Sequence, residues 1–386
     1  MKITSVTSHV LRYTLPEPLG YSQAMYAART AHLVEVRTDA GLVGWGECFG
    51  PGPVALANRT IVESVLAPAL VGRDPLEREV LFHELYNGLR DHGQKGMPLQ
   101  AISGVDIALW DIAGKHFGVP LSTLLGGRFR ESIPVYGYGM MLRPVDGLAE
   151  AFAREAQEIE AQGFTAMKMK VGLGVRADIA LVEAVRQAIS DDTKLMVDAN
   201  HAYHTADAFA VGRALEGLGV YWFEEPVAPE DRDGYRDLRA GLSVNISGGE
   251  AEFTRWGWRG LLEGRCLDIA QPEVCALGGI SEYQKVLALA HTHFTPVVNH
   301  VWGSAVAVAV NMQLLAAQPP LPGGLYPDEP MLEFDTTHNA FRDALALEPL
   351  TIKDDVGRTG RTVVPQRPGH GVTPNPDILE KYAVPR

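Results

Sequence analysis

Cysteine is scarce in this chain: Cys48, Cys266 and Cys275 are the only three in 386 residues. They are scattered without metal-like spacing, which excludes a disulfide framework or a thiolate zinc site and fits reduced thiols in a cytoplasmic protein. Positive charge is also in deficit. Lys and Arg total 34 against 47 Asp and Glu, a formal net charge of -13. No nucleic-acid or anionic-membrane partner is expected, because both reward a basic surface that neutralises phosphate. Small anionic substrates stay open, since a bound cation or a local pair of lysines can reverse the sign inside one pocket. Long hydrophobic runs are missing too. The segment "VWGSAVAVAVNMQLLAA" from Val301 meets Asn311 too early to span a bilayer and reads as a buried helix. The opening "MKITSVTSHVLRYTL" alternates like a strand and lacks the apolar centre of a signal peptide.

Glycine and proline, by contrast, are plentiful (40 and 25) and spread along the chain, as in an ordinary globular protein. The length exceeds a usual single core, so two domains or a large barrel with an attachment are expected. Residues 1 to about 125 read as an α+β unit. A strand occupies 2–14, a hairpin turns at Asp39–Gly41, and helical patterns lie near 57–70, 75–90 and 100–117, closed by Gly126–Gly127. After that boundary a unit repeats: a short apolar run, a polar residue at its end, then an amphipathic helix. The runs are "TAMKMKVG" (165–172), "KLMVDAN" (194–200), "VYWFEEP" (220–226), "SVNISGGE" (243–250), "CLDIAQPE" (266–273) and "FTPVVNH" (294–300). Their closing polar residues recur roughly every 23 to 28 positions, and evenly spaced strand-helix units favour a closed (β/α) barrel over an open sheet. "IPVYGYG" (133–139) supplies a first strand, and a last one falls near 332–335.

In such a barrel the site forms where strands end, so Lys168, Lys170, Asp198, Glu224 or Glu225, Glu250, Glu273 and His300 should converge. Asp198, Glu224 and Glu250 on three consecutive strand ends would repel one another without a counter-ion. Hard oxygen ligands of this kind suit Mg²⁺. Glu225 competes with Glu224, but the equal intervals favour Glu224. Lys168 and Lys170 share a face of one strand, because side chains alternate. Each is expected to disfavour the charge of the other, with the metal adding to that effect, so that Lys170 becomes a base of lowered pKa and Lys168 its tuner. His300 needs an orienting acceptor, and Glu273 on the neighbouring strand is the natural one. Asp268 is an odd number of residues from Glu273 and so points to the other face.

The ordered series "AISGVDIALWDIAGKHFGVPLSTLLGG", "KMK", "DAN", "WFEEP", "GGE" and "HVWG" resembles the enolase superfamily, and the Lys-x-Lys strand with a late His resembles its mandelate racemase subgroup. The resemblance implies an α/β fold: a modified TIM barrel, (β/α)7β, over 128–350, an N-terminal α+β capping domain over 1–127, and a segment over 351–386 returning to the cap. It implies that Lys170 and His300 are the acid/base pair with Lys168 as companion, and that Asp198, Glu224 and Glu250 hold Mg²⁺. One departure is Glu273, where the subgroup usually has Asp. Glu333, with Glu329 as alternative, resembles a late carboxylate that hydrogen-bonds the substrate, and Asn200 joins the substrate contacts. Tyr21, Met25, Tyr26 and Phe49 of the cap contact substrate or pack within the cap. Arg29 and Lys95 are anchors for a distal carboxylate or surface charges.

The implied activity is removal of the proton α to a carboxylate of a sugar acid or its lactone through an enediolate. The form expected is cycloisomerisation of D-galactaro-1,4-lactone or D-glucaro-1,4-lactone to a 3-deoxy-2-keto-hexarate by a cytoplasmic homo-oligomer. Acid-sugar dehydration and, further off, epimerisation use the same residues. A non-catalytic carbohydrate-binding barrel is disfavoured by the intact lysines and acids. A nicotinamide dehydrogenase is set aside because "VGLGVRAD" lacks the third glycine of that fingerprint.

Overall fold

A computed structural model describes residues 1–350 and 360–385. Strands β1 (Ile3–Tyr21), β2 (Ala24–Thr38) and β3 (Val43–Cys48) form an antiparallel meander. The turn between β2 and β3 falls at Asp39–Gly41 as expected. The first strand runs further than expected. Residues 19–30 are the tip and arm of a second hairpin that pairs Leu19 with Tyr26 and Tyr21 with Ala24. Pro16 and Pro18 obscure it, because they lie in the register break between Thr14 and Leu19 where no ladder N–H is required.

Helices α1 (Val54–Ile61), continued through a wider turn at Val62–Leu66 into α2 (Ala67–Leu70), α3 (Arg78–Leu89), α4 (Met97–Phe117) and α5 (Leu121–Leu124) complete the cap. The long helix α4 lies directly on β3. A Cβ at Gly46 would sit 2.0 Å from the Gly104 carbonyl and one at Gly44 2.2 Å from that of Ala108, so the glycines of "GWGE" set this approach.

The barrel then alternates strand and helix: β4 (Ser132–Tyr138), α6 (Leu148–Ala161), β5 (Ala166–Lys170), α7 (Val175–Ala188), β6 (Lys194–Asp198), α8 (Thr205–Gly217), β7 (Trp222–Glu224), α9 (Arg232–Gly241), β8 (Asn245–Gly248), α10 (Thr254–Glu263), β9 (Ile269–Ala270) and α11 (Gly279–Thr292). The seventh strand position is reduced to a bridge from Val297 to Ala270. Helix α12 (Ala305–Ala317) and β10 (Leu332–Asp335) follow, and β10 pairs with β4 in parallel. Counting the bridge, this is eight parallel strand positions and seven helices, the (β/α)7β order. No strand pairing joins the Val297 segment to β10 among the described residues. Instead Glu333 Oε2 accepts from Val301 N–H at 2.8 Å.

Beyond α13 (Ala340–Asp343), residues 351–359 lie outside the described residues, so the expected boundary at 350 is bracketed only from one side. Strand β11 (Arg361–Val363) adds to the start of β4. After α14 (Pro376–Lys381), the Tyr382 carbonyl and Val384 N–H bond to β1 of the cap. No helix among the described residues is long and apolar enough to cross a membrane.

Two buried acids of the cap dock it on the barrel. Glu47 accepts from Ser304 N–H at 2.9 Å, Ser304 Oγ–H at 2.6 Å and Ala307 N–H at 3.0 Å, at the N-terminus of α12. Asp106 accepts from Ser281 N–H and Oγ–H at 3.0 and 2.6 Å in α11. A negative carboxylate is favoured at a helix N-terminus. Glu47→Ala leaves those donors buried without a partner and should lower unfolding stability by about 3 kcal/mol. A thermal melt unchanged from wild type would refute that docking role.

Candidate active site

The two lysines of β5 are explained by a strand buried on both faces. Met167 and Met169 pack outward among the helices, while Lys168 and Lys170 turn into the barrel. Asp198 and Glu224 end β6 and β7, and Glu250 follows β8 by two residues. Gly249, at φ +110° and with Trp258 2.4 Å from any added Cβ, shapes the turn that brings Glu250 inward. One carboxylate oxygen from each of Asp198, Glu224 and Glu250 lies within 4.8 Å of the others. Glu225 does not join them. Its backbone turns at φ 43° and its carboxylate lies 3.2 Å from His201 Nε2.

This acidic cluster fits a divalent cation. Glu250 Oε2 is buried and accepts no aligned hydrogen bond among the described residues, although His300 Nε2 lies 3.1 Å away, and burial followed by the charge of Asp198 pushes Glu224 up to about 8. Like charges so close favour a bound counter-ion. The lysines supply part of it. Lys168 Nζ is fully buried, 2.7 Å from both Glu224 Oε1 and Glu333 Oε1 and 3.6 Å from Asp198. Lys170 Nζ pairs with Asp198 and donates to Asn200 Oδ1 at 2.7 Å. With no cation on the acids, the expected lowering of the Lys170 pKa is not seen. Burial is the largest single influence and opposes its charge, but the Asp198 carboxylate, Tyr138 and Glu250 together outweigh burial and the repulsion of Lys168, and Lys170 is held above the ordinary lysine range. Glu224 and Glu333 do the same for Lys168.

His300 lies where Glu273 can reach it despite the extra methylene. Nδ1 is 2.7 Å from Glu273 Oε2, and Nε2 is 3.1 Å from Glu250. Glu273 Oε1 accepts from Cys275 N–H, which fixes the carboxylate. Burial alone would lower this imidazole, yet Glu250 and the Glu273 bond carry it up to about 10.

Lys170, Asn200, Glu250 and His300 from the barrel, with Tyr21 and Phe49 from the cap, line one cavity of about 160 Å³. Lys168, Asp198, Glu224 and Glu273 are buried and do not line it. Three expectations fail on geometry. Met25 is half exposed and lines a separate outer groove, because alternation along β2 turns its neighbour Tyr26 inward instead. Glu333 is not a lining residue, since both oxygens are taken by Lys168 and Val301. Arg29 is neither a surface charge nor a cavity anchor: it is buried, 2.7 Å from Asp335. Glu329 pairs with Arg361, Lys95 is exposed 3.9 Å from Glu252, and Asp268 is bound by Arg239. The cavity adds Gln23, Pro51, Tyr138, Met141, His201 and Trp302, which sequence reasoning passed over. Tyr138 was findable, since "IPVYGYG" places it on the inward face at a strand end. Trp302 follows His300 by two residues.

The whole chain carries the same pattern as known proteins. Residues 3–126 match the N-terminal domain of the mandelate racemase / muconate lactonizing enzyme family, and residues 151–378 match the enolase C-terminal domain-like family. The chain belongs to the enolase superfamily. It is 44% identical over 387 aligned positions to D-galactarolactone cycloisomerase of Agrobacterium fabrum, covering 100% of each. A solved 3,6-anhydro-D-galactonate cycloisomerase from Zobellia galactanivorans aligns with a TM-score of 0.88 at 37% identity, covering 100% of both chains. L-talarate/galactarate dehydratase of Salmonella typhimurium LT2 aligns at 0.85 and 28% identity, over 100% of this chain and 92% of that one, and a mutant of that dehydratase has been solved with Mg and L-glucarate. As a superfamily member, the protein is an enzyme of this enolase-type fold.

Proposed function

We propose that this enzyme is a Mg²⁺-dependent cycloisomerase that opens the lactone ring of a sugar acid. The observation that carries the reading is the placement of Lys170 and His300 on one small cavity beside the Asp198–Glu224–Glu250 cluster. Those three acids would hold Mg²⁺, which when bound neutralises charge as the substrate carboxylate becomes an enediolate. With Asp198 committed to the cation instead of to the ammonium, Lys170 would lose the carboxylate that holds its proton, and in its neutral form, anchored by Asn200, it takes the proton from the carbon α to the free carboxylate. The bond from the β-carbon to the ring oxygen breaks, and that oxygen leaves as the second carboxylate. The resulting enol ketonises by gaining a proton at the β-carbon, from His300 on the other wall, so no atom is lost overall. Glu273 keeps the imidazole turned to that task.

The lining supports a lactone over an open-chain dicarboxylate. Lys170 is the only Lys or Arg among the described lining residues, and Tyr21, Tyr26, Phe49 and Trp302 present rings where a distal carboxylate would need a cation. Acid-sugar dehydration is the second reading, favoured by an imidazole that Glu273 orients at Nδ1 and that could donate from Nε2 to a leaving hydroxyl. Incubation with Mg²⁺ and hexaro-1,4-lactones in D₂O, followed by NMR, should give a 3-deoxy-2-keto-hexarate with one deuterium on the new methylene. Turnover of open-chain aldonates but not lactones would replace this reading with dehydration. No product and no α-deuteration on any of them would end both.

A further inference from the structure

Trp302 forms part of the cavity wall, and its ring is held by two neighbouring lining rings and by one cation from outside the cavity. Tyr26 stacks on it at 6.3 Å between centroids, Tyr138 meets it edge-on at 5.7 Å, and the Arg29 guanidinium lies 4.5 Å from its centroid. Tyr26 and Arg29 both come from β2 of the cap, whereas Trp302 sits two residues after His300 on the barrel. Arg29 is itself held. Nη2 is 2.7 Å from Asp335 Oδ2 at the end of β10 and donates to Thr337 Oγ1, and Asp335 is braced by Thr337 N–H and Asn339 Nδ2–H. Arg29 and Asp335 are 6% and 8% exposed, so this ion pair is shielded from the screening that makes surface pairs weak.

We infer that Arg29 is a positioning residue that fixes Trp302, through the guanidinium on its ring and the Asp335 anchor behind, and so sets the fit of the substrate's distal end. Arg29 does not line the reaction cavity. It lines a small neighbouring pocket of about 20 Å³ that shares Tyr26, Pro51 and Trp302 with it. A planar cation on an indole face is directional, so lysine replaces it only in part. Because Arg29 reaches the cavity only through Trp302 and touches neither Lys170 nor His300, its loss should change substrate binding more than proton transfer. The identity of that substrate rests on the cycloisomerase reading.

Arg29→Met should raise KM for the lactone about tenfold with kcat within about threefold, and Arg29→Lys should recover part of the loss. In a Trp302→Leu background, Arg29→Met should add little, since coupled residues are non-additive. Equal, additive effects in the two backgrounds would overturn the inference. Amide hydrogen exchange gives a readout that needs no turnover: Arg29→Met should speed exchange at 299–304 as well as in the 21–28 hairpin tip. Faster exchange in the hairpin alone would also overturn it. Arg29→Lys and Asp335→Asn carry the same tests if Arg29→Met fails to fold. Should the wild type open no lactone, the functional reading fails, and the exchange experiment still decides the role of Arg29.

Discussion

Lys170→Ala is expected to fold, to retain Mg²⁺ binding, and to lose α-proton exchange and turnover by roughly 10³-fold, the range in which a positioned general base contributes. Lys170 ends a strand whose other residues are all buried, and its Nζ is the one lysine group on the cavity. Its partners Asp198 and Asn200 hold the amine in place without covering it from the substrate side. The companion Lys168 is different. It is fully buried between Glu224 and Glu333, so its removal would strip two carboxylates of their counter-charge and confound folding with chemistry. Single-turnover exchange in D₂O isolates the step. Exchange at the wild-type rate in Lys170→Ala would remove the base assignment, while loss of Mg²⁺ binding as well would point to collapse of the cluster instead.

Glu250→Gln is the cleanest probe of the cation site. Glu250 is the least buried of the three acids and pairs with neither lysine, so the substitution keeps both ammonium partners in place. Mg²⁺ at a hundred times its Kd should stabilise the wild type by about 2.7 kcal/mol. The variant should lose most of that shift at the same concentration, and turnover with it. A full Mg²⁺-induced shift in Glu250→Gln would remove this residue from the cation site.

Much of the site is legible because its members share a rule: each ends a strand or follows it within three residues, so regular intervals point to Asp198, Glu224, Glu250, Glu273 and His300. The cap was harder. Whether Met25 or Tyr26 faces inward depends on the register of a hairpin that two prolines disguise, and a slip of one residue exchanges the faces. Arg29 was misread because its burial depends on Asp335, a partner from the far end of the barrel that spacing along the chain does not reveal. The charge state of the cation-free Lys170 departs from expectation for a related reason. Sequence proximity emphasised its neighbour Lys168, while in space Asp198 is the stronger influence.

The seam between the Val297 segment and β10 carries a mechanical implication. A single carboxylate, Glu333, zips that gap through Val301 and simultaneously neutralises the innermost ammonium. Barrel closure and the charge balance of the catalytic floor thus lean on the same side chain, next to the stretch that carries His300 and Trp302.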